Sequence, residues 1–189
     1  VLDEAIGFVN YPFGNKHIYT VGSTPLSIER YQFVPDQLPG LQIEYAIKNT
    51  SNQSIQIEFN IEAVSNLMPV WLGERTGMIN SKDLASFDPS NNRWMVKDSL
   101  NPWYVVHGST VKGEASKMVF SKTNKPNTAV SNTTYKIEIK PNAVYYLPFT
   151  IAGSAKSKEQ AMSSYNQIKN AAASLLAIKK KRVLNLNQY

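Results

Sequence analysis

Two histidines, no cysteine and a handful of mid-chain carboxylates limit the chemistry that this 189-residue sequence could perform. Without cysteine there are no disulfides, no thiolate nucleophile and no cysteine-ligated zinc or iron–sulfur centre. His17 and His107 cannot build a three-histidine metal site, and no His-Glu-x-x-His occurs. A Ser–His–Asp arrangement is allowed by counting, but the sequence has no Gly-x-Ser-x-Gly elbow. His107 follows the apolar run Trp103–Val106 and reads as a strand-end histidine satisfied by backbone. Gly108 and Gly113 have phosphate-loop spacing, yet Glu114 stands where the lysine belongs and would repel phosphate. No catalytic residue, metal ligand or cofactor is therefore assigned.

Glycosidases act with two carboxylates across a cleft. Glu74, Asp83, Asp88, Asp98 and Glu114 gather in the middle third, but their spacing fixes no pair and they read as solvated loop residues. The aromatic residues point further. Trp71, Trp94, Trp103 and Tyr104 lie in a polar, turn-rich stretch together with Arg75. Flat rings beside charged and amide groups suit sugars, whose C–H faces stack while their hydroxyls hydrogen-bond. Trp71, Glu74, Arg75, Trp94 and Trp103 are the glycan-contact candidates; the competing reading puts the tryptophans in the core.

The elements that would position these residues are mostly strands. Leu41, Ile43, Tyr45 and Ile47 alternate with polar partners, and after an Asn-Thr-Ser-Asn-Gln-Ser turn Ile55, Ile57, Phe59 and Ile61 do so again. Period two predicts an antiparallel hairpin with Ile43, Tyr45, Ile47, Ile57, Phe59 and Ile61 buried and Gln42, Glu44, Gln56 and Glu58 wet. Tyr135–Ile139 and Tyr145–Ile151, broken by Pro141-Asn142, read as a second returning pair. Weaker strands are expected at 16–21, 27–34, 93–97, 103–107 and 117–121. Ser157 and Gln160 form a capping-box signature, followed by the stripe Ala161, Tyr165, Ile168, Ala172, Leu175 of an amphipathic helix ending near 183–187. The expectation is an all-β antiparallel sandwich over residues 1–156 with a C-terminal helix over 157–189.

Of a formal charge of +6, Lys179, Lys180, Lys181 and Arg182 supply four, so the body is close to neutral. Lysines at a helix C-terminus complement its dipole, and this reading is preferred to a nucleic-acid site. No apolar run is long enough to span a bilayer. A chain opening on Val1 without a leader is expected to be part of a longer gene product. The compartment stays open, with bacterial periplasm or exterior favoured over cytoplasm.

The segments Leu41–Ser51, Phe59–Val64 and Met68–Gly77, followed by Pro141–Ile151 and the helix from Ser157, resemble the N-terminal domain of bacterial glycogen-debranching (amylo-α-1,6-glucosidase-like) glycoside hydrolases. The resemblance implies a supersandwich, a linker helix and a following catalytic α/α barrel absent from this chain. That barrel would carry the acid and base, leaving this domain a supporting role. The loop Pro69–Asp83 would reach toward an α-glucan or other oligosaccharide. An independent carbohydrate-binding or adhesin-like module is the alternative. A small-ligand barrel or a nucleic-acid binder using the 179–182 tip is more distant.

Overall fold

The computed structural model describes residues 2, 4–70, 73–116 and 126–186, except the side chain of Glu74. The strands are β1 (Gly7–Tyr11), β2 (Gly14–Thr20), β3 (Leu26–Phe33), β4 (Gly40–Asn49), β5 (Ile55–Ser65), β6 (Asp83–Asp88), β7 (Arg93–Asp98), β8 (Tyr104–Gly108), β9 (Glu114–Ala115), β10 (Ala129–Ile139) and β11 (Val144–Ser154). A 3-10 turn lies at Glu74–Thr76, and helix α1 runs Lys158–Leu186. An eight-stranded sheet in the order β1-β2-β3-β4-β11-β8-β7-β6 packs on a three-stranded sheet, β5-β10-β9. All pairings are antiparallel. The fold is thus an all-β sandwich with a C-terminal helix.

Neither expected hairpin forms. β4 pairs with β3 and β11, while β5 pairs with β10, so the 49–54 turn carries the chain from one sheet to the other. The β10–β11 connection crosses between the sheets in the same way. Alternation fixed which residues face inward but could not say which strand lies alongside. The two arches lie against each other, with Asn49 N–H donating to Ala143 O and Asn142 N–H to Ser51 O. Asn142 adopts φ of 57°, a left-handed conformation that asparagine tolerates better than most residues.

The Asn49 side chain, without solvent exposure, ties both arches together. Its Nδ2 donates to Gln53 O (2.7 Å), Ile139 O (3.1 Å) and Lys140 O (3.2 Å). Its Oδ1 accepts from Ser51 N and Ser51 Oγ. Between the sheets, Tyr19, Ile28, Ile47, Tyr135, Ile137, Ile139 and Leu147 form the main core. Ile43 and Ile47 are buried as expected, Glu44, Gln56 and Glu58 are exposed, and Tyr45, Ile57, Phe59 and Ile61 are half-buried.

Gln42 corrects the expected wet face: it is buried. Its Oε1 accepts from Thr150 Oγ1 at 2.7 Å, and its Nε2 donates to Ile43 O. The outer face of β4 and β11 is not wet, because α1 lies across it. Ala161, Tyr165 and Ile168 pack on Val106 and Ala152 in a second core. Gly40 permits this approach, since a Cβ there would stand 2.4 Å from Ile168 Cδ1 and 2.6 Å from Ile151 O.

Ser157 Oγ caps α1 by accepting from Gln160 N (3.2 Å). Ser154, rather than Gln160, receives the Ser157 N–H, so the capping box is only half made. The helix breaks direction at Ala171 (φ −126°, ψ 20°), inside the alanine run that read as uninterrupted helix. Beyond the break Val183 is buried and Leu176 half-buried, while Ile178 and Leu184 are exposed. Two of the four basic tip residues are not merely solvated at the dipole. Lys179 Nζ and Arg182 Nε grip Asp36 at 3.0 and 2.7 Å, holding the Asp36 carboxyl below its usual range. β1, β6 and β9 were not anticipated, the first and last for want of length; the expected strand at 117–121 lies outside the described residues.

Replacing Asn49 by alanine removes a buried donor shared by three carbonyls, of which Gln53 O keeps Ser51 Oγ and Lys140 O keeps Ala143 N–H. The expected loss is about 3 kcal/mol of unfolding free energy, measured by denaturant titration. A loss within 0.5 kcal/mol, the roughly neutral range of surface changes, would show that the arches hold without it.

Candidate functional site

The loop between β5 and β6 carries three of the glycan-contact candidates and has a fixed neck. At its start Leu67 N–H donates to Asp83 Oδ2 (2.7 Å), the first residue of β6. At its end Ser81 Oγ donates to Asp98 Oδ1 (2.6 Å), the last residue of β7. Asn101 Nδ2 donates to Ile79 O and Asn127 Nδ2 to Asn80 O. Within the loop, Thr76 and Met78 N–H groups both donate to Gly73 O, folding the 3-10 turn back on itself. Gly77, at φ of 85°, supplies a conformation that other residues rarely adopt.

The tip is open. Arg75 is exposed, and so are Met68, Met78, Ile79 and Val70, the last at 84%. Leu100 stands exposed beside the neck, its N–H on Ser81 Oγ. Trp71 and the side chain of Glu74 lie outside the described residues. The structure therefore brings Arg75 to an exposed apolar loop and does not bring Trp94 or Trp103 to the same place. Trp94 sits on the inner face of β7, its Nε1–H donating to Thr133 Oγ1 (2.9 Å) and its ring tilted on Phe87. Trp103 is half-buried just before β8.

Of the mid-chain carboxylates, Asp83 and Asp98 are not solvated loop residues but buried strand ends. Burial raises the Asp83 carboxyl against the pull of Leu67 N–H, and neighbouring Asp98 raises it further. Burial would also raise Asp98, but hydrogen bonds from Ser81, Asn101 and Leu100 win and hold it low. Asp88 pairs with Arg93 at 3.0 Å, and exposed Glu114 with Lys136. Among the described residues, no three His, Cys, Asp or Glu side chains gather as a metal site.

His107 lies at the end of β8, as expected, but its ring is met by a side chain rather than by backbone. Its Nε2 lies 2.9 Å from Ser131 Oγ on β10. Because that hydroxyl donates to Ala63 O, the imidazole carries its proton on Nε2. Nδ1 is buried with no partner among the described residues. A serine and a histidine in contact would suit nucleophilic chemistry only with substrate access and an orienting acid. Both are buried between the sheets, and no carboxylate meets Nδ1. Burial depresses the imidazole to about 4.

A second feature escaped the sequence because its residues are far apart in the chain. Beyond its kink α1 contributes Leu176 and Lys180 to a cavity of about 390 Å³ whose other lining residues are Tyr11, Phe13, Lys16 and Tyr31. Tyr11 stacks on Phe13 at 5.4 Å, and Lys180 Nζ stands 5.0 Å from the Phe13 ring centroid. The Tyr31 hydroxyl has no partner among the described residues.

The architecture defines a fold class, an antiparallel β-sandwich of two sheets with a C-terminal helix. No family model matches the sequence, and no curated protein does either. Among solved structures, a galactose mutarotase related enzyme from Lactobacillus acidophilus matches with a TM-score of 0.54 at 8% identity. The match covers 82% of this chain and 72% of that one. A protein assigned as an aldose 1-epimerase from Escherichia coli K12 gives 0.55 at 7% identity, over 78% and 67% of the two chains. A protein assigned as a kojibiose phosphorylase from the human microbiome gives 0.52 at 10% identity. That match takes in 89% of this chain but only 22% of the other. These likenesses establish the fold.

The buried imidazole makes stability depend on pH. Below 6.5 the unfolded chain binds a proton that folded His107 refuses until about 4, so stability falls as pH drops through that window. Urea titrations at stepped pH should show a loss of about 3 kcal/mol from this group, absent in His107→Gln. Equal pH dependence in the two proteins would overturn the assignment.

Proposed function

We propose that the chain is the non-catalytic N-terminal sandwich of a glycogen-debranching-like glycoside hydrolase. It would support a catalytic α/α barrel in the same protein and lend the 69–83 loop to glycan binding. The observation that carries this reading is the loop itself: a tip of exposed Met68, Val70, Met78 and Ile79 on a neck fixed by two buried aspartates. Exposed apolar side chains on a hydrogen-bonded loop are suited to packing on another domain. The likeness to one-fifth of a larger sugar phosphorylase supports it, since a sandwich of this fold there accompanies much more chain. Exposed Ile178 and Leu184 on the second half of α1 add apolar surface of the kind a linker helix would bury. Trp71, Glu74 and Arg75 would contact the glycan, without Trp94 and Trp103, which lie elsewhere in the sandwich.

An independent carbohydrate-binding module is the second reading, favoured by the cavity beneath α1, where Tyr11, Phe13 and Tyr31 present rings beside Lys16 and Lys180. The two differ in what the isolated chain does. On the first reading it releases no reducing sugar from glycogen or maltooligosaccharides and binds them no more tightly than millimolar by calorimetry. Hydrolysis abolished by Glu74→Gln would overturn it. Glycan binding lost on Tyr31→Ala but kept in Arg75→Ala would favour the second.

A further inference from the structure

The outer face of the large sheet carries two rows of side chains that only strand register brings together. Lys16 on β2, Tyr31 on β3, Glu44 on β4 and Pro148 on β11 stand side by side across four strands. Phe33, Gln42 and Thr150 form the next row on the same face. Tyr11, ending β1, and Phe13, in the turn after it, continue the aromatic part. The rings follow one another without a break: Phe13 to Tyr11 at 5.4 Å, Tyr11 to Tyr31 at 6.5 Å, Tyr31 to Phe33 at 6.4 Å.

The helix above these rows presents little to fill the space. Directly after its break at Ala171 come Ala172 and Ala173, and Leu176 and Lys180 follow at one-turn intervals. Two cavities result, of about 390 and 310 Å³, and Tyr31 and Leu176 line both. They are neighbouring halves of one groove, and each falls in the range of roughly 300–1,000 Å³ typical of small-ligand sites.

The groove is positive in a body that is otherwise close to neutral. Lys16, Lys169 and Lys180 line it against one carboxylate, Glu44. Lys16 is held by Glu29 at 3.2 Å. Lys180 stands 5.0 Å from the Phe13 ring centroid and Lys169 5.3 Å from that of Tyr165. Neither of these two has an ion-pair partner among the described residues. Rings in series suit the C–H faces of successive sugars, and unpaired ammonium groups suit anionic substituents on them. A nucleic-acid strand could stack as well, but Glu44 and Glu29 oppose a continuous phosphate backbone, and so few lysines neutralise little of one.

We propose that the groove under α1 binds an oligosaccharide bearing carboxylate or sulfate groups. Tyr11, Phe13 and Tyr31 lie against its sugar faces, and Lys169 and Lys180 meet its anions. This rests on the second reading given above for the cavity and adds the class of glycan.

The test is calorimetry on the whole chain at low ionic strength with tetragalacturonate, a sulfated chondroitin tetrasaccharide, neutral maltotetraose and an oligothymidylate. At least one acidic tetrasaccharide should bind about tenfold tighter than maltotetraose, the product of two ion pairs at the groove. Which acidic sugar binds tells carboxylate from sulfate. The margin should shrink in roughly 1 M salt, where the Debye length is about 3 Å. Lys180→Gln, at an exposed position, should weaken the acidic ligand by about two- to fivefold. Ala173→Trp, also exposed, should abolish binding by filling the groove, while Lys181→Gln, outside both linings, should leave it unchanged. Should Tyr31→Ala fail to fold, these exposed helix variants decide. Maltotetraose bound as tightly as both acidic sugars overturns the proposal but leaves the binding-module reading standing. No sugar binding at all overturns both. Tighter binding of oligothymidylate than of either acidic sugar, or acidic-sugar binding that survives Ala173→Trp, also overturns the proposal.

Discussion

The carboxamide of Asn49 sits where both sheet-to-sheet crossings meet, and the sandwich depends on what it bonds. A strand leaving one sheet for another abandons its ladder, and its last carbonyls turn toward the interior without partners. The arches after β4 and after β10 face this problem at the same point. One amide answers it for both, donating to carbonyls in each and accepting from Ser51 in return. An aliphatic side chain would remove the donor they share, and a carboxylate would oppose them. Because the arches also bond directly to each other, the separation of the sheets and the register of β4 against β11 are set together.

From that joint the rest of the molecule follows outward. The small sheet covers β2–β4, β11 and their neighbours on the inner side, and α1 covers β11, β8 and β4 on the outer side, so the central strands are buried on both faces. Toward the β6 end the inner face becomes polar, and there the aspartates fix the loop neck. Toward the β1 end the outer face becomes aromatic, and there α1 leaves the sheet and anchors on Asp36. The two regions with functional character thus lie where one of the two covering layers runs out.

Much of the fold was legible because alternation and capping are local. The strand segments 41–48, 55–62 and 145–151, the cap at Ser157 and the stripe Ala161–Tyr165–Ile168 stand where the pattern put them. Pairing was not legible, because a turn between two alternating runs looks the same whether the strands fold back in one sheet or cross to another. Gln42 shows the same limit: polar by type, it belonged to a face whose cover, α1, is more than a hundred residues away. The kink at Ala171 falls in the best helix-forming stretch and has no sequence signal; beyond it Lys179 and Arg182 meet Asp36. Of the candidate site, the loop and Arg75 could be named, but the significance of Asp83 and Asp98 could not, since only register places them opposite each other. The cavity under α1 joins residues near 11, 31 and 180, and nothing in their spacing announces it.

The crossings also govern how this chain can reach its native state. With hairpins in place of arches, β4 and β5 could zip from a short turn within microseconds. Instead β4 meets β3 locally but waits for β11, about a hundred residues later, on its other edge, and β5 waits for β10. Closing such long loops before any contact compensates them is the entropic burden that slows β-rich topologies into the millisecond-to-second range. During that interval β4 and β5, each ten or more residues long, have unsatisfied edges. Early in synthesis the chain therefore holds one edge of β4 and both edges of β5 without partners, and those edges rather than the exposed loop set its exposure to misassembly.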